Sequence, residues 1–194
     1  MDPLATVGDL SAVNIDVSDG ALVDQLLRVA SATVRGAAGS PISRETSTIR
    51  YDGWPDQKYL RLAGPPVVSV STVTVDGTAV TDWRLMADGR LRRACGWSLD
   101  CDPVDVLVTQ VHGVDPVPEH IVDLVCSLVG AGIAAAKEGY AAHGGVVAER
   151  IDDYSVQYAQ GAEAVASAME LPTRTRDWLA SMFGGSAAMV TTRS

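Results

Sequence analysis

The sequence has few aromatic residues, and phenylalanine occurs once among 194 residues. Hydrophobic residues nevertheless make up 47% of the chain, and the mean hydropathy is +0.13. We therefore expect a packed core built mainly from Val, Leu, Ile and Ala, and not a disordered chain. This length is typical of one domain, or of one domain with an elaboration.

The chain also lacks a long run of Lys and Arg. Fifteen basic residues face 24 acidic ones, which gives a formal net charge of -9. An acidic surface keeps a protein soluble and repels DNA, so we expect no tight groove around a phosphate backbone.

No apolar run reaches the ~18–20 residues that span a bilayer. Residues 122–136 come nearest, but Asp123 interrupts them and Lys137 with Glu138 ends them. This segment predicts a buried core helix and no membrane contact.

Cysteine is scarce and odd in number. Cys126 lies in an apolar helical run, which is typical of a small core residue. Cys95 and Cys101 could lie close enough to pair, and the sequence leaves this open. Because no secretory signal precedes them, reduced thiols are expected.

The first 40 residues predict two helices. Thr6 and Asp9 have the spacing of a capping box before a short helix that ends near Val13. Ser18 is a candidate N-cap for a longer helix through about Arg35, ended by Gly36 and Gly39. Its expected apolar stripe consists of Leu22, Leu26, Val29, Thr33 and Ala37.

Residues 46–112 change to a strand pattern. Asp76-Gly77 and Asp88-Gly89 are strong hairpin signals. The expected five or six strands form one small antiparallel sheet, inserted between the helices. They cover residues 48–51, 58–62, 68–75, 82–86, 91–94 and 104–111.

Residues 117–183 return to helices. A helix is predicted from Pro118 to Glu138, with a wide apolar face and with glycines that permit close approach of a neighbour. A late β-hairpin follows at residues 147–151 and 154–158, then a weakly patterned helical stretch at 162–169. A last helix runs from Pro172 to Phe183.

The predicted fold class is therefore α+β. A helical core of antiparallel helices at 1–40 and 117–183 carries the β insertion 46–112. Residues 1–183 form a single domain, and 184–194 form a flexible C-terminal tail.

We find no catalytic, cofactor-binding or metal-binding constellation. His112, His120 and Cys126 match no familiar zinc spacing, and structural roles are favoured for them. Asp152 and Asp153 are adjacent, so on a strand they face opposite ways and suit a turn better than an acid–base pair. A further acidic cluster is favoured as turn caps over a cation site: Asp100, Asp102 and Asp105.

Aromatic and long apolar side chains are the candidates for partner interfaces. Trp178, Met182 and Phe183 on the last helix anchor a partner or pack against the core of the chain, and both alternatives stay open. Trp54 and Trp97 stand in turn-like contexts, where exposed aromatic residues suit interfaces.

Four segments, taken in order, resemble the head-to-tail connector (adaptor) proteins of long-tailed bacteriophages. They are Leu4–Leu10 before an amphipathic helix, Leu60–Gly77, Val111–Ile121 and Glu149–Tyr158; Leu171-Pro172 before a last helix also fits. The resemblance covers about residues 4 to 183 and rests on the order of the segments, since no single one is specific.

The resemblance implies a structural virion protein and not an enzyme. It implies a chain that is made in the bacterial host cytoplasm and forms a ring, generally dodecameric, fixed below the portal at the head–tail interface after DNA packaging. The expected partners are further copies of the chain, the portal protein and a stopper or tail protein. Genomic DNA is expected to pass through the channel without sequence-specific binding, which an acidic wall suits.

Two other functions remain open. A stopper or tail-completion protein is the nearer one, and a helix content well under a third would favour it. A small enzyme or ligand-binding module is the remote one, and a deep polar pocket with perturbed titrating groups would favour it.

Overall fold

A computed structural model describes residues 1–98, 102–141, 148–151, 154–157 and 161–184. The predicted α+β class is confirmed. In chain order the elements are α1 Val7–Ala12, α2 Gly20–Ala38, β1 Glu45–Gly53, β2 Tyr59–Arg61, β3 Val67–Val75, β4 Thr78–Ala79, β5 Trp83–Leu85, β6 Arg90–Arg93, β7 Val104–His112, α3 Glu119–Ala141, β8 Ala148–Ile151, β9 Tyr154–Gln157, α4 Gly161–Ala168 and α5 Thr173–Phe183.

The chain divides into two compact units. The helical unit comprises residues 1–34 and 118–173, and the sheet unit comprises residues 35–117 and 174–194. The single domain expected over 1–183 stays a prediction. The expected tail lies outside the described residues from 185 onward.

The helical unit begins with the predicted capping box. The Asp9 backbone N–H donates to Thr6 Oγ1 at 3.2 Å, and the Thr6 N–H donates to Asp9 Oδ2 at 2.7 Å. Two N–H groups that lack intrahelical partners are thereby satisfied, which fixes the start of α1.

The start and end of α2 differ from the prediction. The cap is Asp19, whose Oδ1 accepts from the Leu22 N–H at 3.1 Å, whereas the Ser18 N–H donates backward to Asp16. The carboxylate of Asp19 also suits the positive end of the helix, so the expected Ser18 cap is wrong. The helix continues through Gly36 and ends before Gly39, which has φ +59°.

The apolar stripe of α2 also lies elsewhere. Val29 is 44% exposed, while the buried positions are Val23, Leu26, Leu27, Ala30, Val34 and Ala38. These positions keep the three- and four-residue spacing of a helix face. Of the predicted stripe, Leu26 is buried as expected. The buried side of α2 also includes polar Ser31, whose Oγ accepts from the Leu4 N–H at 2.9 Å.

The wide apolar face of α3 is confirmed. Its buried positions are Ile121, Val125, Cys126, Leu128, Val129 and Ile133. A Cβ at Gly132 would lie 3.1 Å from Leu26 Cδ2 and 3.0 Å from Met169 Sδ, so this glycine permits close packing within the helical unit. The segment Glu119–Lys137 also has the length and mean hydropathy (1.5) of a membrane-crossing helix, which core helices of soluble proteins share.

The β segment forms two sheets, so the expected single sheet is wrong. The larger sheet has the order β1-β7-β3-β4, and the smaller has the order β2-β6-β5. The smaller sheet is a separate sheet because, among the described strands, its short strands form their ladder hydrogen bonds only with one another. Asp76 (φ +46°) and Gly77 (φ +78°) form the turn between β3 and β4, as their sequence predicts.

The late hairpin is confirmed as an antiparallel pair, with Ile151 opposite Tyr154. The turn residues Asp152 and Asp153 lie outside the described part of the chain.

Candidate interface surfaces

Helix α5 has one buried and one exposed stripe. Leu179 and Phe183, four residues apart, are buried, whereas Trp178 and Met182 are 39% and 49% exposed. The helix ends at Gly184, whose N–H donates to the Ala180 carbonyl at 2.9 Å. Of the three anchors considered from the sequence, Phe183 therefore packs into the core, and Trp178 and Met182 lie at the surface.

Trp54 is the most exposed tryptophan among the described residues, at 56%. It lies in the turn between β1 and β2, where its backbone N–H donates to Gln57 Oε1 at 3.0 Å. This turn holds the indole outside the core. The exposure that its context predicts is confirmed, and its contact with a partner stays a prediction.

Trp97 is fully buried, so the exposure expected for it is wrong. It packs with the core of the sheet unit, which consists of Leu60, Leu62, Val73, Leu91, Val106 and Val108. A Cβ at Gly53 would lie 2.8 Å from Trp97 Cβ, so the strand approaches the tryptophan closely. A turn-like sequence context did not reveal this because the cluster forms through distant strands.

His112 is a buried structural residue. Its Nε2 lies 2.7 Å from Ser47 Oγ, and its Nδ1 lies 3.0 Å from the Gly64 carbonyl. Because that carbonyl can only accept, Nδ1 carries a proton and donates to it. Both ring nitrogens are engaged, which supports the structural role favoured from the sequence.

The other ligand candidates are dispersed. Cys126 is buried, and burial raises its pKa. Asp105 accepts from Arg50 Nε at 2.9 Å and is therefore an ion-pair partner. Across the described ranges, no three His, Cys, Asp or Glu side chains gather as a metal site would require. Asp100 and Cys101 lie outside these ranges, and Cys95 has a free thiol that donates to Asp82 Oδ2 at 3.3 Å.

The outer side of the smaller sheet is rich in arginine, a surface that was not predicted from the sequence. In the β2-β6-β5 register, Tyr59 stands opposite Arg92 and Arg92 opposite Arg84, while Arg61 stands opposite Arg90. All five side chains are exposed. We call this surface, formed by Tyr59, Arg61, Arg84, Arg90 and Arg92, the arginine face.

The opposite side of the same sheet packs inward. Leu60 and Leu91 are cross-strand neighbours in the core, and Leu85 lies next to Leu91 in the register. The alternation of strand side chains therefore sends leucines to the core and arginines to solvent. Arg-Leu-Arg in Arg90–Arg92 is the sequence signal that could have revealed the arrangement.

Only part of the positive charge on this surface is neutralised. Arg90 forms an ion pair with Asp88 at 2.6 Å, and its guanidinium carbon lies 4.9 Å from the centroid of the Tyr59 ring. The hydrogen bond from Arg90 lowers the pKa of Asp88. Arg61, Arg84 and Arg92 form no ion pair with any residue that the structure describes.

The groups with shifted pKa values have structural causes. The hydrogen bond from Lys137 lowers the pKa of Asp16, and burial raises the pKa of Tyr51. Burial would raise the pKa of Asp82, but hydrogen bonds from Arg93 and Cys95 outweigh it and lower the pKa. Each of these shifts is thus explained by burial or by a hydrogen bond within the fold.

Comparison with protein families and with curated proteins gives no match. Among solved structures, a chain in the virion of a native gene transfer agent particle aligns with a TM-score of 0.49 and 17% identity, over 80% of each chain. A chain in the neck of the empty particle, computed with C6 symmetry, aligns with a TM-score of 0.47 and 15% identity over 80% and 81% of the two chains. A chain in the neck of the native particle, computed with C12 symmetry, aligns with a TM-score of 0.47 and 15% identity over 86% of this chain and 89% of that chain.

Proposed function

We propose that this chain is a structural neck protein of a phage-like particle, an adaptor that forms a ring beneath the portal. The ring extends the DNA channel and offers a docking platform to a stopper or tail protein. In this account the chain breaks no bond and works through the surfaces that it presents.

The observation that carries the proposal is the order of the four adaptor-like segments on the folded chain. Leu4–Leu10 contains the capping box of α1, and Leu60–Gly77 contains β3 and its hairpin turn. Val111–Ile121 is the junction from β7 into α3, and Glu149–Tyr158 contains most of the β8–β9 hairpin. Each segment coincides with a boundary between elements, which supports a shared architecture over a chance match of short motifs.

The junction from β7 to α3 illustrates the local chemistry. Gly113 has φ +88°, and a Cβ there would lie 2.3 Å from the Ser43 carbonyl oxygen. The Pro118 carbonyl accepts from the Ile121 and Val122 N–H groups at 2.8 and 3.2 Å, and Glu119 lies in the first turn of α3. Proline and an acidic residue both suit a helix start, so the sequence specifies where the strand gives way to the helix.

The alternative of a stopper or tail-completion protein is less well supported. The described helices contain 6, 19, 23, 8 and 11 residues, which is more than a third of the 194-residue chain. A helix content well under a third would have favoured that alternative.

Light scattering of the purified chain, alone and mixed with the portal protein of the same particle, tests the proposal. We expect a complex with portal whose mass corresponds to a ring of copies, whether or not the chain is monomeric alone. A chain that stays separate from portal at every mixing ratio, or that turns over a small molecule, would contradict the proposal.

A further inference from the structure

The two units of the chain differ strongly in charge. The helical unit contains 13 acidic and 3 basic residues, a net charge of -10, whereas the sheet unit contains 11 acidic and 12 basic residues, a net charge of +1. These values together give the net charge of -9 for the whole chain. The acidity of this protein is therefore a property of one unit.

Within the sheet unit the arginine face concentrates positive charge at a local cost. Arg84 stands directly opposite Arg92, and Arg61 stands directly opposite Arg90. Like charges that face each other across strands destabilise a sheet. A face that keeps two such pairs exposed gains a compensating interaction when an anionic partner covers it.

The helical unit supplies matching negative charge. Asp24 on α2 and Glu119 and Asp123 on α3 are exposed. None of the three forms an ion pair with a residue that the structure describes. Acidic side chains without a cationic partner thus lie on two helices of the unit with the large negative charge.

We propose that the arginine face docks on the exposed acidic sides of α2 and α3 in a second copy of this chain. This inference rests on the proposed ring and names the contact between neighbours in it. A head-to-tail contact joins two different surfaces of the same protein, and opposite charges on those surfaces favour it over contacts between identical surfaces. Duplex DNA is the other anionic candidate, but it must approach a molecule whose net charge is -9, whereas the helical unit of a second copy offers a surface of opposite sign.

Charge-swapped variants test this contact. The first variant, Arg84→Glu with Arg92→Glu, brings the formal charge of the four arginines from +4 to 0 and keeps like charges opposite each other at the exchanged pair. The second, Asp24→Arg with Asp123→Arg, reverses the acidic surface. The control, Arg44→Glu with Arg174→Glu, makes the same change in net charge as the first variant, at exposed arginines outside the arginine face. Circular dichroism verifies folding, and Arg84→Gln with Arg92→Gln replaces the first variant if it fails to fold.

Sedimentation velocity over a concentration series at low and high salt is the measurement. We expect the unmodified chain and the control to associate at low salt and to dissociate as salt screens the charges. Each variant alone is expected to associate at least ~10-fold more weakly. An equimolar mixture of the two is expected to regain association, because the unmodified arginine face of the second variant then meets the unmodified acidic side chains of the first.

Several outcomes overturn the inference. The first is an Arg84→Glu, Arg92→Glu variant that associates as strongly as the unmodified chain. The second is a mixture of the two variants that associates no more strongly than either alone. The third is an unmodified chain that stays monomeric at every concentration and salt. If the unmodified chain does not self-associate but binds a short DNA duplex, and Arg84→Glu with Arg92→Glu abolishes that binding, the arginine face is assigned to nucleic acid instead.

The inference and the proposed function fail separately. Particles whose neck contains the Arg84→Glu, Arg92→Glu variant at full occupancy overturn this contact and leave the adaptor function intact. The absence of the unmodified chain from the neck overturns the function, whatever happens in solution.

Discussion

At the scale of single residues, Gly64 connects backbone conformation to a buried side chain. Gly64 has φ +69°, and a Cβ there would lie 2.4 Å from His112 Nδ1. The same histidine ring is fixed by Ser47 and by the Gly64 carbonyl, so it has little room to move. This position therefore needs glycine both for its backbone conformation and for space.

Gly64→Ala is expected to destabilise the protein more than Gly89→Ala does. Both positions have positive φ, but a Cβ at Gly89 would meet nothing within 4 Å. The difference isolates the clash with His112, and overpacking of this kind costs about 1–3 kcal/mol. Urea unfolding of the two variants measures it, and equal midpoints would show that the histidine yields without cost.

Asp16 provides a pH-dependent contribution to stability. Its Oδ2 lies 2.6 Å from Lys137 Nζ near the end of α3, and this hydrogen bond lowers its pKa below the ordinary 3.8. Because the pKa is lower in the folded state, the stabilisation is complete above the ordinary value. It is lost as the pH falls through the lowered one.

We therefore expect Asp16→Asn to weaken the protein at neutral pH and to reduce the loss of stability on acidification. Lys137→Met should act similarly, because it removes the partner that lowers the pKa. Urea midpoints at about pH 7, 4 and 3 measure the effect. A variant with the same acid dependence as the unmodified chain would contradict this role for the pair.

At the scale of elements, the two stripes of α5 differ in burial, and we expect them to have separable roles. Leu179 is fully buried, whereas Met182 is about half exposed. Leu179→Ala should cost about 2–5 kcal/mol of stability, as truncation of a buried leucine does. Trp178→Ser with Met182→Ser should cost much less and should instead weaken binding to the portal protein.

Thermal unfolding and co-sedimentation with portal separate these effects. A Trp178→Ser, Met182→Ser variant that bound portal as well as the unmodified chain would show that the exposed stripe of α5 does not contact portal. The packing assignment would be wrong if Leu179→Ala left the unfolding temperature unchanged.

Local signals predicted the elements well. The capping box at Thr6 and the turn at Asp76-Gly77 depend on residues near in sequence, and both are present in the fold. The β segment was predicted from Thr46 to His112; in the structure its first strand begins at Glu45 and its last strand ends at His112. Element boundaries were less accurate at α2, where neighbouring Ser18 and Asp19 both suit a cap.

Pairings between distant strands were not predictable in the same way. The split into two sheets, the burial of Trp97 and the arginine face all depend on which strand lies beside which. Arg61 and Arg90 are 29 positions apart and become neighbours only through the β2–β6 pairing. A count of charge along the chain cannot detect such a surface, because its members come from three strands.

At the scale of the whole molecule, charge is distributed unevenly between the units. A net charge of -10 on the helical unit and +1 on the sheet unit gives each copy two unlike surfaces. Such a molecule favours contacts in which every copy uses both surfaces, and these contacts close into rings when the rotation between neighbours permits it. The charge pattern and the proposed ring are thus consistent with each other.

Electron microscopy of phage-like particles that contain this chain is the decisive measurement. We expect a closed ring of this chain at the vertex between portal and tail, coaxial with the DNA channel. A vertex without the chain, in particles that otherwise carry portal and tail, would contradict the account.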